Sequence, residues 1–109
     1  MPPRLLYCHC AFARVVPAAT KVAVLEGLSR ATAAFDAVPD LCEMAARKDP
    51  RLTTLAGAGP LRVAACYPRA VRWLLASAGS PLPEDAQVIN MRTDAPEDVL
   101  RDLLAEEAR

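Results

Sequence analysis

Glycine is scarce in this chain of 109 residues, with four in all, and histidine is scarcer, with one. So few glycines leave no Gly-rich motif able to cradle a phosphate. The single His9 sits between two cysteines, Cys8 and Cys10, so no Cys/His/Asp triad is apparent and a conventional active site is not expected. Net charge is missing too. Thirteen basic and thirteen acidic residues cancel, which removes the electrostatic footprint of a nucleic-acid or anionic-membrane binder. No apolar run approaches bilayer length, so membrane insertion is not expected. The opening segment MPPRLLYCHCAFARVVPAA is a poor signal-peptide core, because Cys, His and Arg interrupt its apolar stretch. These absences lead us to expect a cytoplasmic protein. Internal repeats, low-complexity tracts and linkers are also lacking.

What is present is a globular balance, with 53% hydrophobic and 24% charged residues. A chain of this length holds one core, so residues 1–109 read as a single domain. It carries four cysteines, Cys8, Cys10, Cys42 and Cys66. In a reducing compartment an even set of thiols argues for metal or redox chemistry before structural disulfides.

Strand and helix signals alternate. Leu5-Leu6-Tyr7-Cys8 is a short apolar strand. Pro17 opens a helix from Ala18 to Phe35, with Val22, Leu25, Leu28 and Phe35 at near-helical spacing. Phe35 to Pro39 reads as a second strand, at an edge or stopped by its proline. Around Cys42, residues Leu41, Met44 and Ala45 suggest a helical turn or two, and Asp49-Pro50 opens a further short helix that stops at Gly57. Leu61 to Cys66 is the clearest buried strand, and Pro68 starts a helix with Val71, Leu74, Leu75 and Ala78 that ends at Gly79. Trp73 belongs to that helix and is expected in the core. Gln87 to Met91 forms the last strand, and Asp94 with Glu97 forms a capping box for a last helix bearing Val99, Leu100, Leu103 and Leu104. The order βαβαβαβα implies an α/β fold, a small, open, mainly parallel four-stranded sheet with helices on both faces.

In such sheets ligands bind outside the carboxyl ends of the strands. Cys8 and Cys10, Cys42, and Cys66 follow strands one, two and three, so a C-x-C-x31-C-x23-C pattern is expected to converge. Thiolates suit zinc or iron–sulfur clusters. Zinc knuckles normally space paired ligands by two to four residues, and the ferredoxin C-x2-C-x2-C run is absent as well. Cys8 and Cys10 would project to one side of an extended segment, and His9 to the other, which gives His9 a solvent-facing or supporting role. Cys66 precedes a helix N-terminus, whose partial positive charge favours a thiolate. Taken alone, Cys42 reads as a core cysteine. Arg14, Arg69 and Arg92 are the cations nearest in sequence to these segments, and cations beside an anionic cluster raise its potential.

The run Tyr7-Cys8-His9-Cys10, the isolated Cys42, and Val63-Ala64-Ala65-Cys66-Tyr67-Pro68-Arg69 followed by Asn90-Met91-Arg92 resemble the N-terminal iron–sulfur domain of the flavin-carrying subunit of heterodisulfide reductase and its relatives. The resemblance runs from Leu5 to Thr93 and is specific in its four cysteines. It implies that Cys8, Cys10, Cys42 and Cys66 ligate one [4Fe-4S] cluster; the cysteine pattern by itself leaves [2Fe-2S] or zinc as alternatives. It also implies electron exchange with a flavoprotein or dehydrogenase partner, or with a second copy in a homo-oligomer. Ala11 stands where the family has Gly, and Tyr67 where it has Ser, beside a ligand. The flavin domain of the family is missing from this sequence, so the resemblance implies an electron carrier or accessory subunit rather than an enzyme. A zinc-binding or metal-free interaction module, or a thiol or cluster redox sensor, are the other readings.

Overall fold

A computed structural model describes residues 4–10, 16–31, 34–56 and 60–105 of the chain. Four strands, β1 (Arg4–Cys8), β2 (Asp36–Val38), β3 (Leu61–Ala65) and β4 (Gln87–Asn90), alternate with five helices. These are α1 (Ala18–Arg30), α2 (Leu41–Ala46), α3 (Arg51–Ala56), α4 (Pro68–Ser77) and α5 (Pro96–Leu104). All strand pairs are parallel, in the order β2-β1-β3-β4. The expected α/β architecture is the observed one, with the segment after β2 split into the two short helices α2 and α3.

Strand chemistry explains that order. Every residue of β3 is buried, as are Leu5 to Cys8 of β1, so these two apolar strands take the centre. The short β2 exposes Asp36 and Ala37, and Pro39 lies just beyond its end, which suits an edge. The one cation in β3, Arg62, is buried yet satisfied: its guanidinium donates to the carbonyls of Leu103 at 3.0 Å and Ala105 at 2.6 Å. It therefore ties the carboxyl end of α5, where a cation is favoured, to the central strand.

The path of the chain fixes which helices share a face. From β1 the chain steps outward to β2, then returns across β1 to β3 and continues to β4. Right-handed crossovers then put the helix of the outward step on one face and those of the return steps on the other. The packing follows, with α1 against α5 and α2 against α4. The same reversal makes the carboxyl ends of β1 and β3 a topological switch point, where successive connections leave in opposite directions and open a crevice.

Four local expectations are corrected. Trp73 is 68% exposed and Val22 54% exposed. Each lies two residues, about 200° around a helix, from buried neighbours: Val71 and Leu75 in α4, Thr20 and Val24 in α1. Phe35 is outside α1, which ends at Arg30; it packs from the segment before β2 against the core. The capping box at α5 is also absent. Its N-cap is Ala95, with no side-chain cap, and Pro96 sets the first turn instead, with Glu97 and Asp98 near the positive helix end.

Candidate functional site

The site is built where β1 and β3 end. Cys8 closes β1, Cys66 follows the last residue of β3, and Cys42 is the second residue of α2, four residues beyond the end of β2. Cys10 completes the set, two residues after Cys8. Cys8, Cys10 and Cys66 are buried and Cys42 is half-buried, and none of the four is in a disulfide.

Contacts among the sulfurs form a connected group. Cys8 Sγ lies 3.5 Å from Cys10 Sγ. Cys66 interacts through its side chain with both Cys10 and Cys42. Cys8 Sγ accepts the Leu41 N–H at 3.3 Å, at the start of the helix that carries Cys42. The thiols thus come from the three adjacent strand ends that the sequence pattern indicated.

Their protonation is uneven. Cys8 is held below the usual thiol range because Cys10 donates to it, and the Leu41 amide adds to the effect against the cost of burial. Cys10, the donor of that pair, is pushed well up by the same bond and by burial. Cys42 is pushed up to about 11, first by burial and then by the neighbouring Cys66 side chain and the Asp40 carboxylate. The charged form is thus favoured at Cys8 and the protonated form at Cys10 and Cys42, as expected of thiols crowded together out of water.

The segment that carries the C-x-C pair is held on several sides. The His9 N–H donates to the Val38 carbonyl at 2.9 Å, extending the β1–β2 ladder by one residue. Cys10 then turns into the left-handed region at φ 52°, a conformation that costs a side-chain-bearing residue about 1–2 kcal/mol. Lys21 of α1 donates from Nζ to the Cys10 carbonyl at 3.0 Å. Tyr7 donates to the Lys21 carbonyl at 3.2 Å, and its oxygen lies 2.8 Å from His9 Nδ1. The two contacts are compatible when His9 carries its proton on Nδ1. Tyr7 itself is pushed up to about 12 by burial and by the two nearby thiols.

His9, just beyond the end of β1, thus presents Nδ1 to Tyr7. Tyr67 is half-exposed and forms the N-cap of α4, immediately after Cys66. The Arg92 guanidinium stacks on its ring at 4.3 Å, an arrangement open to Tyr but not to Ser at this position. Arg92 also fixes its loop, since its N–H donates to Asn90 Oδ1 at 2.9 Å. Arg69 is exposed, and Arg14 lies outside the described residues. Three contributors escaped sequence reasoning: Lys21, the Leu41 amide, and Asp40, which caps α2 by accepting the Glu43 N–H at 3.0 Å. Asp40 was legible, because Asp40-Leu41-Cys42-Glu43 has the spacing of a helix-start signature. Lys21 has no such signal, being eleven residues from Cys10 and joined to it only by the fold.

Among the described residues no three His, Cys, Asp or Glu side chains gather around one point in the manner of a single-ion cage. Tetrahedral Zn–S bonds of 2.3 Å would set sulfurs about 3.8 Å apart all round. Here the thiols come from three adjacent strand ends, with the Cys8 and Cys10 sulfurs 3.5 Å apart. The donor set is all thiol, which both zinc and iron–sulfur clusters take. No known protein family, characterised protein or solved structure matches the chain.

Proposed function

We propose that the chain is a small iron–sulfur protein that holds one [4Fe-4S] cluster on Cys8, Cys10, Cys42 and Cys66 and carries electrons to or from a partner redox protein. The observation that carries this reading is the meeting of four thiols from three strand ends at the topological switch point. The resemblance of the cysteine segments to the N-terminal iron–sulfur domain of heterodisulfide reductase supports the same ligand set. A bound cluster supplies one-electron redox chemistry, with a potential set by charge, hydrogen bonds to sulfur and solvent exposure.

The chain's own part is to orient and desolvate. The Leu41 N–H already donates to one ligand sulfur, and burial of Cys8, Cys10 and Cys66 limits water around the group. Ligation needs thiolates, so loading releases the protons that Cys10 and Cys42 hold firmly and becomes more favourable as pH rises. A flavoprotein or dehydrogenase, or a second copy of the chain, would exchange the electron, and the chain is a carrier rather than a stand-alone catalyst. Tyr67, exposed immediately after Cys66, suits a docking role. We place the protein in the cytoplasm, where its thiols stay reduced.

A second reading rests on the 3.5 Å Cys8–Cys10 contact, with its low and high thiols, which is the asymmetry of a redox thiol pair. Anaerobic reconstitution with iron and sulfide, followed by paramagnetic resonance on the reduced protein, separates the two. The cluster reading expects a brown protein with a signal from a reduced cluster. A colourless protein that instead forms a Cys8–Cys10 disulfide on mild oxidation would favour the thiol pair.

A further inference from the structure

The loop that carries Cys10 is held from outside the sheet by one residue that no cysteine pattern indicates. Lys21 meets it twice, by Nζ at the Cys10 carbonyl, 3.0 Å away, and by its own carbonyl, which receives the Tyr7 hydroxyl at 3.2 Å. The first contact bears on the strained point of the loop, since Cys10 is in the left-handed region at φ 52° without being glycine. An ammonium on that carbonyl holds the peptide plane in the orientation that Cys10 requires. It also fixes a positive charge beside a ligand residue, in a half-buried position where screening by water is reduced.

We propose that Lys21 is the positioning residue of the thiol site, fixing the Cys10 carbonyl and supplying the positive charge that raises the reduction potential of the group held there. This rests on the cluster reading above. An added electron makes a thiolate-ligated cluster more negative, so a fixed cation nearby favours the reduced form. The loop contact acts separately, on how tightly Cys10 is retained as a ligand.

The two effects part under substitution. Lys21→Met keeps most of the length of the side chain and removes both charge and donor. Lys21→Gln keeps a donor without charge, and Lys21→Arg keeps both. Each variant leaves the Lys21 carbonyl, and so the Tyr7 contact, in place.

The test is anaerobic reconstitution of all four proteins with iron and sulfide, then three readings: metal content, the rate of iron loss to a chelator, and the midpoint potential by redox titration. Lys21→Met is expected to disfavour the reduced form about tenfold, a fall of about 59 mV for a one-electron couple. It is also expected to lose iron several-fold faster. Lys21→Gln should show the lower potential with iron retained, and Lys21→Arg should restore both values. Circular dichroism on the unloaded variants checks that the fold is kept. A wild-type protein that binds no iron and sulfide overturns the cluster reading and this role with it. A loaded wild type whose potential and iron loss match those of Lys21→Met overturns the Lys21 role alone. Equal shifts in Lys21→Met and Lys21→Arg overturn it too, because the charge would then be without effect.

Discussion

Cys42 is the one half-buried thiol of the four, and its chemistry is open to direct measurement. Burial, the neighbouring Cys66 side chain and the Asp40 carboxylate push it up to about 11, above the ordinary thiol range near 8.5. In the metal-free protein, alkylation of Cys42 by iodoacetamide should therefore rise steeply only above pH 9 and reach half its maximum near pH 11. Asp40→Asn keeps an oxygen for the Glu43 N–H and removes the charge, so it should move that profile to lower pH; mass spectrometry of the alkylated peptide reads both. A profile centred near 8.5 in the wild type would contradict the crowding described for the site. Asp49 gives a residue-scale test of opposite sign. Arg51 meets it through two side-chain bonds, of 2.8 and 3.2 Å, and one backbone bond, which hold its carboxyl well below the usual range. A depressed carboxylate adds stability above its unfolded pKa of about 3.9, and that stability fades as pH falls toward the folded value. Asp49→Asn should thus lower the melting temperature at pH 7, and the gap from wild type should narrow below pH 4.

At the scale of elements, α1 and α5 approach closely at Gly27. A side chain placed at Gly27 would run into the Leu100 side chain, so the glycine is what lets the two helices pack. Gly27→Val should cost about 1–3 kcal/mol by overpacking, read as an equal drop in the free energy of urea unfolding. A neutral result would mean that Leu100 swings aside without loss. The strands and helices were legible because their signals are local: apolar runs for β1 and β3, Pro68 at the start of α4, Gly79 after its end. Errors fell where a local signal had a tertiary competitor. The apolar residues of α1 and α4 outnumber the places on their buried stripes, and sequence does not say that Trp73 and Val22 are the ones left outside. At α5 the Asp94/Glu97 spacing gave way to Pro96, whose fixed φ starts the helix later.

For the whole molecule, the order of the strands is what gathers the thiols. Placing β1 and β3 side by side at the centre brings Cys8 and Cys10 to Cys66, and a β2 edge next to β1 brings in Cys42 through the amide of Leu41. Alternating strands and helices made convergence at one sheet edge legible from the sequence. The contacts that support the site were not, because Lys21 to Cys10, Tyr7 to Lys21 and Arg92 to Tyr67 each join segments whose meeting depends on helix faces and loop paths.

The central claim is that four cysteines serve one group. It is tested most directly by counting iron and acid-labile sulfide per chain in anaerobically reconstituted wild type and in the four single variants Cys8→Ser, Cys10→Ser, Cys42→Ser and Cys66→Ser. The account predicts about four of each in the wild type, as a [4Fe-4S] cluster requires, and a marked loss of both from every variant. Zinc in place of iron, or variants at Cys42 or Cys66 that keep the full complement, would contradict it.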